Sequence, residues 1–105
     1  MEKKVSFQEL INGEKPVLVD FFATWCGPCV AMNPILKEVA AEIGEKASIV
    51  KVDVDQNRML ASQLGIQGVP TFMLFKDGQV KWSRSGMQSA YTLKQVIDQV
   101  AAGTL

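Results

Sequence analysis

Histidine is absent from this chain of 105 residues. Imidazole is thereby excluded as base, nucleophile or metal ligand, the roles it most often fills near neutral pH. A surplus of charge is missing too, because eleven basic residues balance eleven acidic ones. A protein that reads a phosphate backbone carries a basic excess, and here the longest basic run is Lys3-Lys4, so nucleic acid is not an expected partner. Long apolar runs are lacking as well. The segment MEKKVSFQEL has no stretch of signal-peptide length, and no segment reaches the roughly 20 apolar residues that span a bilayer. These gaps lead to the expectation of a soluble, cytoplasmic monomer with no membrane partner. Repeats, low-complexity tracts and linkers are also missing, so residues 1–105 are expected to form one domain. Cysteine is scarce, with two residues in the whole chain.

What is present reads as a mixed α/β pattern. Ser6-Phe7-Gln8-Glu9 has capping-box spacing and opens a short helix that Asn12-Gly13 stops. Only Val5 favours a strand ahead of it, so any first strand is short. Val17 to Phe22 reads as a central strand, apolar on both faces, with Asp20 as the anomaly inside it. From Pro28 to Ile43 the pattern is helical: Met32, Ile35, Leu36, Val39 and Ile43 form one stripe, and Gly44 terminates it. Pro34 lies inside this helix and is expected to kink it. Ile49 to Val54 alternates, with Val50, Val52 and Val54 on one face and Ile49, Lys51 and Asp53 on the other. A short helix carries Leu60 and Leu64 and ends at Gly65. Thr71 to Phe75 is a strand, Lys76-Asp77-Gly78-Gln79 is a hairpin signal, and Val80 to Arg84 returns. Ser89 caps a last helix with Leu93, Val96, Ile97 and Val100 on its buried side. Alternating units give parallel strands and the hairpin adds an antiparallel pair. The expected architecture is therefore a central mixed sheet of four to five strands, with helices on both faces.

Three roles compete for Cys26 and Cys29. As a staple, a bridge closing so tight a ring yields roughly 2 kcal/mol in the chain-entropy model, against nearer 5 for a loop of about 100 residues. A chain of this size buries roughly 65% of its unfolded surface, so it does not need the staple. Structural zinc usually takes four ligands, and only two Cys and no His are available; no metal is expected. The redox reading uses every local feature. Cys26 lies just before a helix, where free N–H groups and the dipole favour an anion and lower a thiol's pKa. Gly27 permits the turn, Pro28 suits the first helical turn and stiffens the ring, and Cys29 can reach back across it. A C-x-x-C preceded by an apolar strand and followed by an amphipathic helix is a strong redox signal.

Asp20 stands out on its own account. A carboxylate amid Val19, Phe21 and Phe22 is desolvated, which raises its pKa toward that of a base able to take the proton of Cys29. The alternative is an Asp that points to solvent from a strand end, and the residues alone leave the two about even.

The stretches VLVDFFATWCGPC and GIQGVPTFMLFKDG, with PILKEVA and VDVDQN between them, resemble the thioredoxin family over almost the whole chain. The resemblance implies the thioredoxin fold and a dithiol–disulfide carrier that reduces disulfides in protein substrates. Cys26 is then the attacking nucleophile and Cys29 the buried resolving thiol. Electrons come from NADPH through a separate thioredoxin reductase, and the carrier itself holds no cofactor. Asp20 matches the family's buried carboxylate, and Lys51 a lysine on the neighbouring strand that pairs with it; as a lone residue, Lys51 reads as a surface lysine. Pro70 matches a cis-proline opposite the cysteines, which turns the backbone of Val69 outward for a substrate strand. Trp25, Gly27, Val69, Pro70 and Gly86 would form a flat, mostly apolar docking surface around Cys26, beside Pro28. Without the resemblance, Trp25 reads equally as core packing, Gly86 as a turn residue and Pro70 as a trans proline opening a strand.

The chain also departs from the family pattern. Val30 follows the second cysteine where Lys is frequent, which removes a nearby positive charge. Phe22 stands where Trp is common, and Ser85 precedes Gly86 where an apolar residue is usual. Three functional classes follow: a disulfide reductase, a thiol oxidant or isomerase of the same fold, and a binding module in which the thiols are incidental. Gly-Pro between the cysteines resembles the reducing branch.

Overall fold

A computed structural model describes residues 6–105. The expected first strand around Val5 lies outside them. Ser6 caps helix α1 (Phe7–Ile11), its hydroxyl accepting the Glu9 N–H at 3.2 Å. Strand β1 (Val17–Phe22) follows, buried along nearly its whole length. Helix α2 (Gly27–Ile43) runs unbroken past Pro34, and Gly44 at φ 55° closes it before a 3₁₀ turn. Then come β2 (Ser48–Asp53), α3 (Arg58–Gln63), the hairpin β3 (Thr71–Lys76) and β4 (Gln79–Ser85), and α4 (Ala90–Ala101). Ser89 caps α4 through the Thr92 N–H.

Among the described residues the sheet has four strands in the order β2-β1-β3-β4. β1 and β2 are parallel, whereas β3 is antiparallel both to β1 and to β4. The expectation of parallel strands from alternating units thus fails at β3. The reason is the length of α3. A helix of six residues rises about 9 Å, and a strand of six spans about 20 Å. The helix cannot carry the chain back to the start of the sheet. The chain instead stays at the end where β2 finished, crosses over β1 and descends as β3.

Each face of the sheet has its own core. On one face Leu18, Phe72 and Leu74 pack against Met32, Leu36, Val39 and Ile43 of α2 and Leu93, Val96, Ile97 and Val100 of α4. On the other, Val17, Val19, Phe21 and Phe75 pack against Ile11 and Phe7 of α1, with Val50, Val52, Leu64 and Ile66 around them. The period-two alternation of β2 explains the division, since Ile49 joins the first cluster and its valines the second. Asp77 and Gly78 both adopt positive φ in the hairpin turn. Their N–H groups donate to the carbonyls of Gly13 and Ile11 at 2.8 and 2.9 Å, tying the turn to the end of α1.

Candidate functional site

The crossover of β3 decides where the site lies. The end of β1, the end of β2 and the beginning of β3 meet at one edge of the sheet, with Phe21 opposite both Val52 and Thr71. The loops leaving β1 and entering β3 carry the cysteines and Pro70.

Cys26 is the N-cap of α2, with extended backbone at φ −92° and ψ 111°. Ser, Thr, Asp and Asn usually fill this position because a side-chain acceptor satisfies a free N–H of the first turn. Here sulfur does so, accepting the Cys29 N–H at 3.2 Å. Cys26 and Cys29 are bonded as a disulfide, with Cα atoms 5.3 Å apart. Both residues are buried, at 4% and 2% exposure, in a small cluster with Ala23, packed by Phe22, Val54 and Val69. The sulfur of Cys26 lies 3.7 Å from the Val69 carbonyl oxygen. Gly27 and Pro28 fill the first helical turn and are exposed. Gly27 does not have positive φ, and a Cβ there would meet nothing within 4 Å. The backbone therefore does not require glycine for the turn; the absence of a side chain leaves the surface beside Cys26 open.

Asp20 is fully buried, and neither carboxylate oxygen has a hydrogen-bond partner among the described residues. The solvent-facing alternative is excluded. Burial pushes its pKa up from 3.8 to about 6, against an opposing pull from the Lys51 charge. Lys51 stands directly across from Asp20 in the parallel register, yet it does not pair with it. Its ammonium donates to Asn33 Oδ1 and lies 4.6 Å from the centre of the Phe22 ring. An ion pair would take the ammonium away from water into the apolar interior, where the desolvation of both ions offsets their attraction. Lys51 instead stays at the surface and acts on Asp20 at a distance. Lys51, Asn33, Phe22, Cys29 and Val30 line a cleft of about 230 Å³ on this side of the cysteines.

Trp25 is 71% exposed, which excludes core packing. Its indole Nε1 donates to Asp55 Oδ2 at 2.8 Å. With Val54, Ile66, Gly68 and Val69 it lines a second, more apolar cleft of about 130 Å³. The Val69–Pro70 peptide bond is cis. Apart from the Cys26 contact, the backbone of Val69 has no hydrogen-bond partner among the described residues. Pro70 itself is buried, so the expectation that it forms docking surface is corrected: it orders the backbone and offers no face. Gly86 has φ 88° and donates its N–H to the Pro70 carbonyl at 2.7 Å, so the β4 end is clamped to this loop. Ser85, one of the departures, lies 3.3 Å from the hydroxyl of buried Thr71, which also donates to Gly68.

Asp55 and Asn33 escaped the reading of the sequence. Asn33 follows Cys29 by four residues on a helix, a spacing that places both on one face and that would have brought it to notice. The bond between Trp25 and Asp55 joins residues 30 apart, and no local pattern encodes it. No cluster of three or more metal-ligating side chains occurs among the described residues, and no helix there is long and apolar enough to cross a membrane.

Comparison with known proteins gives a consistent picture. A family model described as Thioredoxin matches residues 1–99. The chain is 44% identical over 96 residues to chloroplastic thioredoxin Y1 of Arabidopsis thaliana, which covers 90% of this chain and 54% of that protein. A thioredoxin-like protein of Synechocystis is 46% identical over 91 residues, covering 86% of this chain and 87% of the other. The chain thus spans about half the length of the plant relative and most of the cyanobacterial one. Among solved structures, a variant thioredoxin from Halobacterium salinarum superposes with a TM-score of 0.83 at 35% identity, over 95% of this chain and 87% of that one.

Proposed function

From the premise that this chain belongs to the thioredoxin family, we propose that it is a thiol–disulfide oxidoreductase that reduces disulfides in protein substrates. In the reduced state Cys26 attacks as a thiolate, because the N-cap position and the Cys29 N–H favour negative charge on its sulfur. The attack breaks the substrate disulfide, joins one substrate sulfur to Cys26 and expels the other as a thiolate, which takes a proton from water. Cys29 then gives its proton to Asp20 and displaces the captured sulfur. The substrate leaves with both sulfurs reduced, and the two electrons have passed from the cysteine pair, now the Cys26–Cys29 disulfide. Asp20 suits the role of acceptor, since a carboxyl with pKa about 6 is ionised at neutral pH and still holds a proton better than an ordinary carboxylate does.

The substrate approaches as an extended segment. The unpaired backbone of Val69, beside the Cys26 sulfur, gives it a strand edge to pair with, and the cleft beside exposed Trp25 takes an apolar side chain. Gly27 and Pro28 keep the approach open, and Pro70 and Gly86 hold the loop. A separate thioredoxin reductase drawing on NADPH restores the dithiol, the carrier works as a monomer without a bound cofactor, and the setting is a reducing compartment such as the cytoplasm.

The observation that carries this reading is a cysteine at a helix N-cap with its bonded partner one turn inside the helix. The test is insulin reduction coupled to NADPH and a thioredoxin reductase, followed by turbidity. Cys26→Ser is expected to abolish turnover with the fold intact, and Cys29→Ser to trap substrates as stable mixed disulfides. Full activity in Cys26→Ser would overturn the mechanism.

A further inference from the structure

We propose that Asn33 is a positioning residue: its side-chain amide holds the Lys51 ammonium over the cleft beside Cys29 and so fixes the positive charge that acts on Asp20. The proposal rests on the reading above in giving this charge a catalytic consequence, but its geometry stands independently.

Lys51 is exposed at the edge of the described sheet, on a flexible four-carbon stem. No carboxylate among the described residues lies within ion-pair distance of it. Among the described residues its one side-chain hydrogen bond is to Asn33 Oδ1, and the Phe22 ring beside it, at 4.6 Å, supplies a second, weaker contact. Asn33 comes to this place by helix geometry. It lies one turn after Cys29 in α2, so both line the same cleft with Lys51. The amide therefore bridges α2 to β2 and arrests a side chain that otherwise moves freely into water.

Where that ammonium rests matters because Asp20 has little else to act on it. β3 places Phe72 opposite Asp20. The buried face of α2 contributes Cys29, held in the disulfide, and the apolar Met32, Leu36, Val39 and Ile43. On α4, Tyr91 is exposed, Lys94 is paired with Glu42, and Asp98 is paired with Lys46. Burial and Lys51 are the causes that set the acidity of Asp20. Coulombic attraction falls with distance and is screened once the charge swings into solvent, so releasing Lys51 weakens the attraction that favours the ionised carboxylate.

The experiment follows the side-chain carboxyl carbon of Asp20 by NMR through a pH titration of the oxidised protein, which requires no turnover. The parent is compared with Asn33→Ala, Lys51→Met and the double variant. Alanine is a better helix former than asparagine, so α2 persists. Asn33→Ala is expected to raise the Asp20 midpoint by roughly 0.3 to 0.5 pH unit, the scale of an exposed charge contact. Lys51→Met raises it further, and Asn33→Ala adds nothing in the Lys51→Met background. An unmoved midpoint in Asn33→Ala, or an equal shift with and without Lys51, overturns the proposal. The same variants are then assayed for turnover against pH. If the NMR midpoints move as expected while the acid limb stays put, Asn33 does position Lys51 and the assignment of Asp20 as the base is what fails.

Discussion

Asp20 concentrates at one residue the tension between stability and activity. A buried carboxylate with no hydrogen-bond partner among the described residues is costly, because ionisation in an apolar site has little to replace hydration. Its pKa is higher folded, at about 6, than at the ordinary value of 3.8. The folded state therefore binds the proton more tightly than the unfolded chain does, and the associated stability is complete below about pH 3.8. It declines as pH rises and is gone above about pH 6, where both states are ionised. The shift corresponds to about 3 kcal/mol. Asp20→Asn is neutral at every pH, so it should exceed the parent in stability by about this much at pH 8 and match it near pH 4. Urea melts at the two pH values check the claim; an equal advantage at both would mean that the carboxylate is not the source. Turnover at pH 7 should fall in the same variant, since an amide cannot accept the Cys29 proton. The sequence betrayed Asp20 because a charged residue interrupts an apolar strand. It did not reveal that Lys51 would turn to Asn33, because that choice depends on how far α2 packs from β2.

At the scale of elements, local signals were the legible ones. Ser6 and Ser89 cap helices as their spacing implies, and Asp77-Gly78 makes the hairpin turn. The direction of β3 was not legible, because it depends on what a short α3 cannot span. The hairpin turn also tests how separable fold and chemistry are. Gly78 has φ 78°, and a Cβ there would come within 2.9 Å of Asn12 Oδ1. Gly78→Ala therefore meets both backbone strain and a close contact. It should lower stability by about 1–2 kcal/mol, read as a shift in denaturation midpoint. The turn lies at the end of β3 remote from Thr71 and the cysteines. Insulin reduction at a temperature where the variant stays folded should match the parent. A loss of turnover without a loss of stability would mean that the two ends of the sheet are coupled.

For the whole molecule the question is whether the fold survives its own chemistry. A carrier must remain folded in both oxidation states, and the distribution of apolar contacts indicates that this one does. The two large clusters on the faces of the sheet contain neither cysteine; the bonded pair sits in a small third cluster at the edge. The disulfide joins residues three apart, already neighbours within one helical turn, so it constrains the unfolded chain little. The chain-entropy estimate for such a ring is about 2 kcal/mol. Reduction should therefore lower stability by about that amount and leave cooperativity and the near-ultraviolet dichroism of the buried aromatics unchanged. Paired denaturant melts of the oxidised and dithiol forms measure the difference. A reduced protein that loses its cooperative transition would show that the bridge is a structural staple, and a chain that unfolds whenever it donates its electrons could not serve as a reusable carrier.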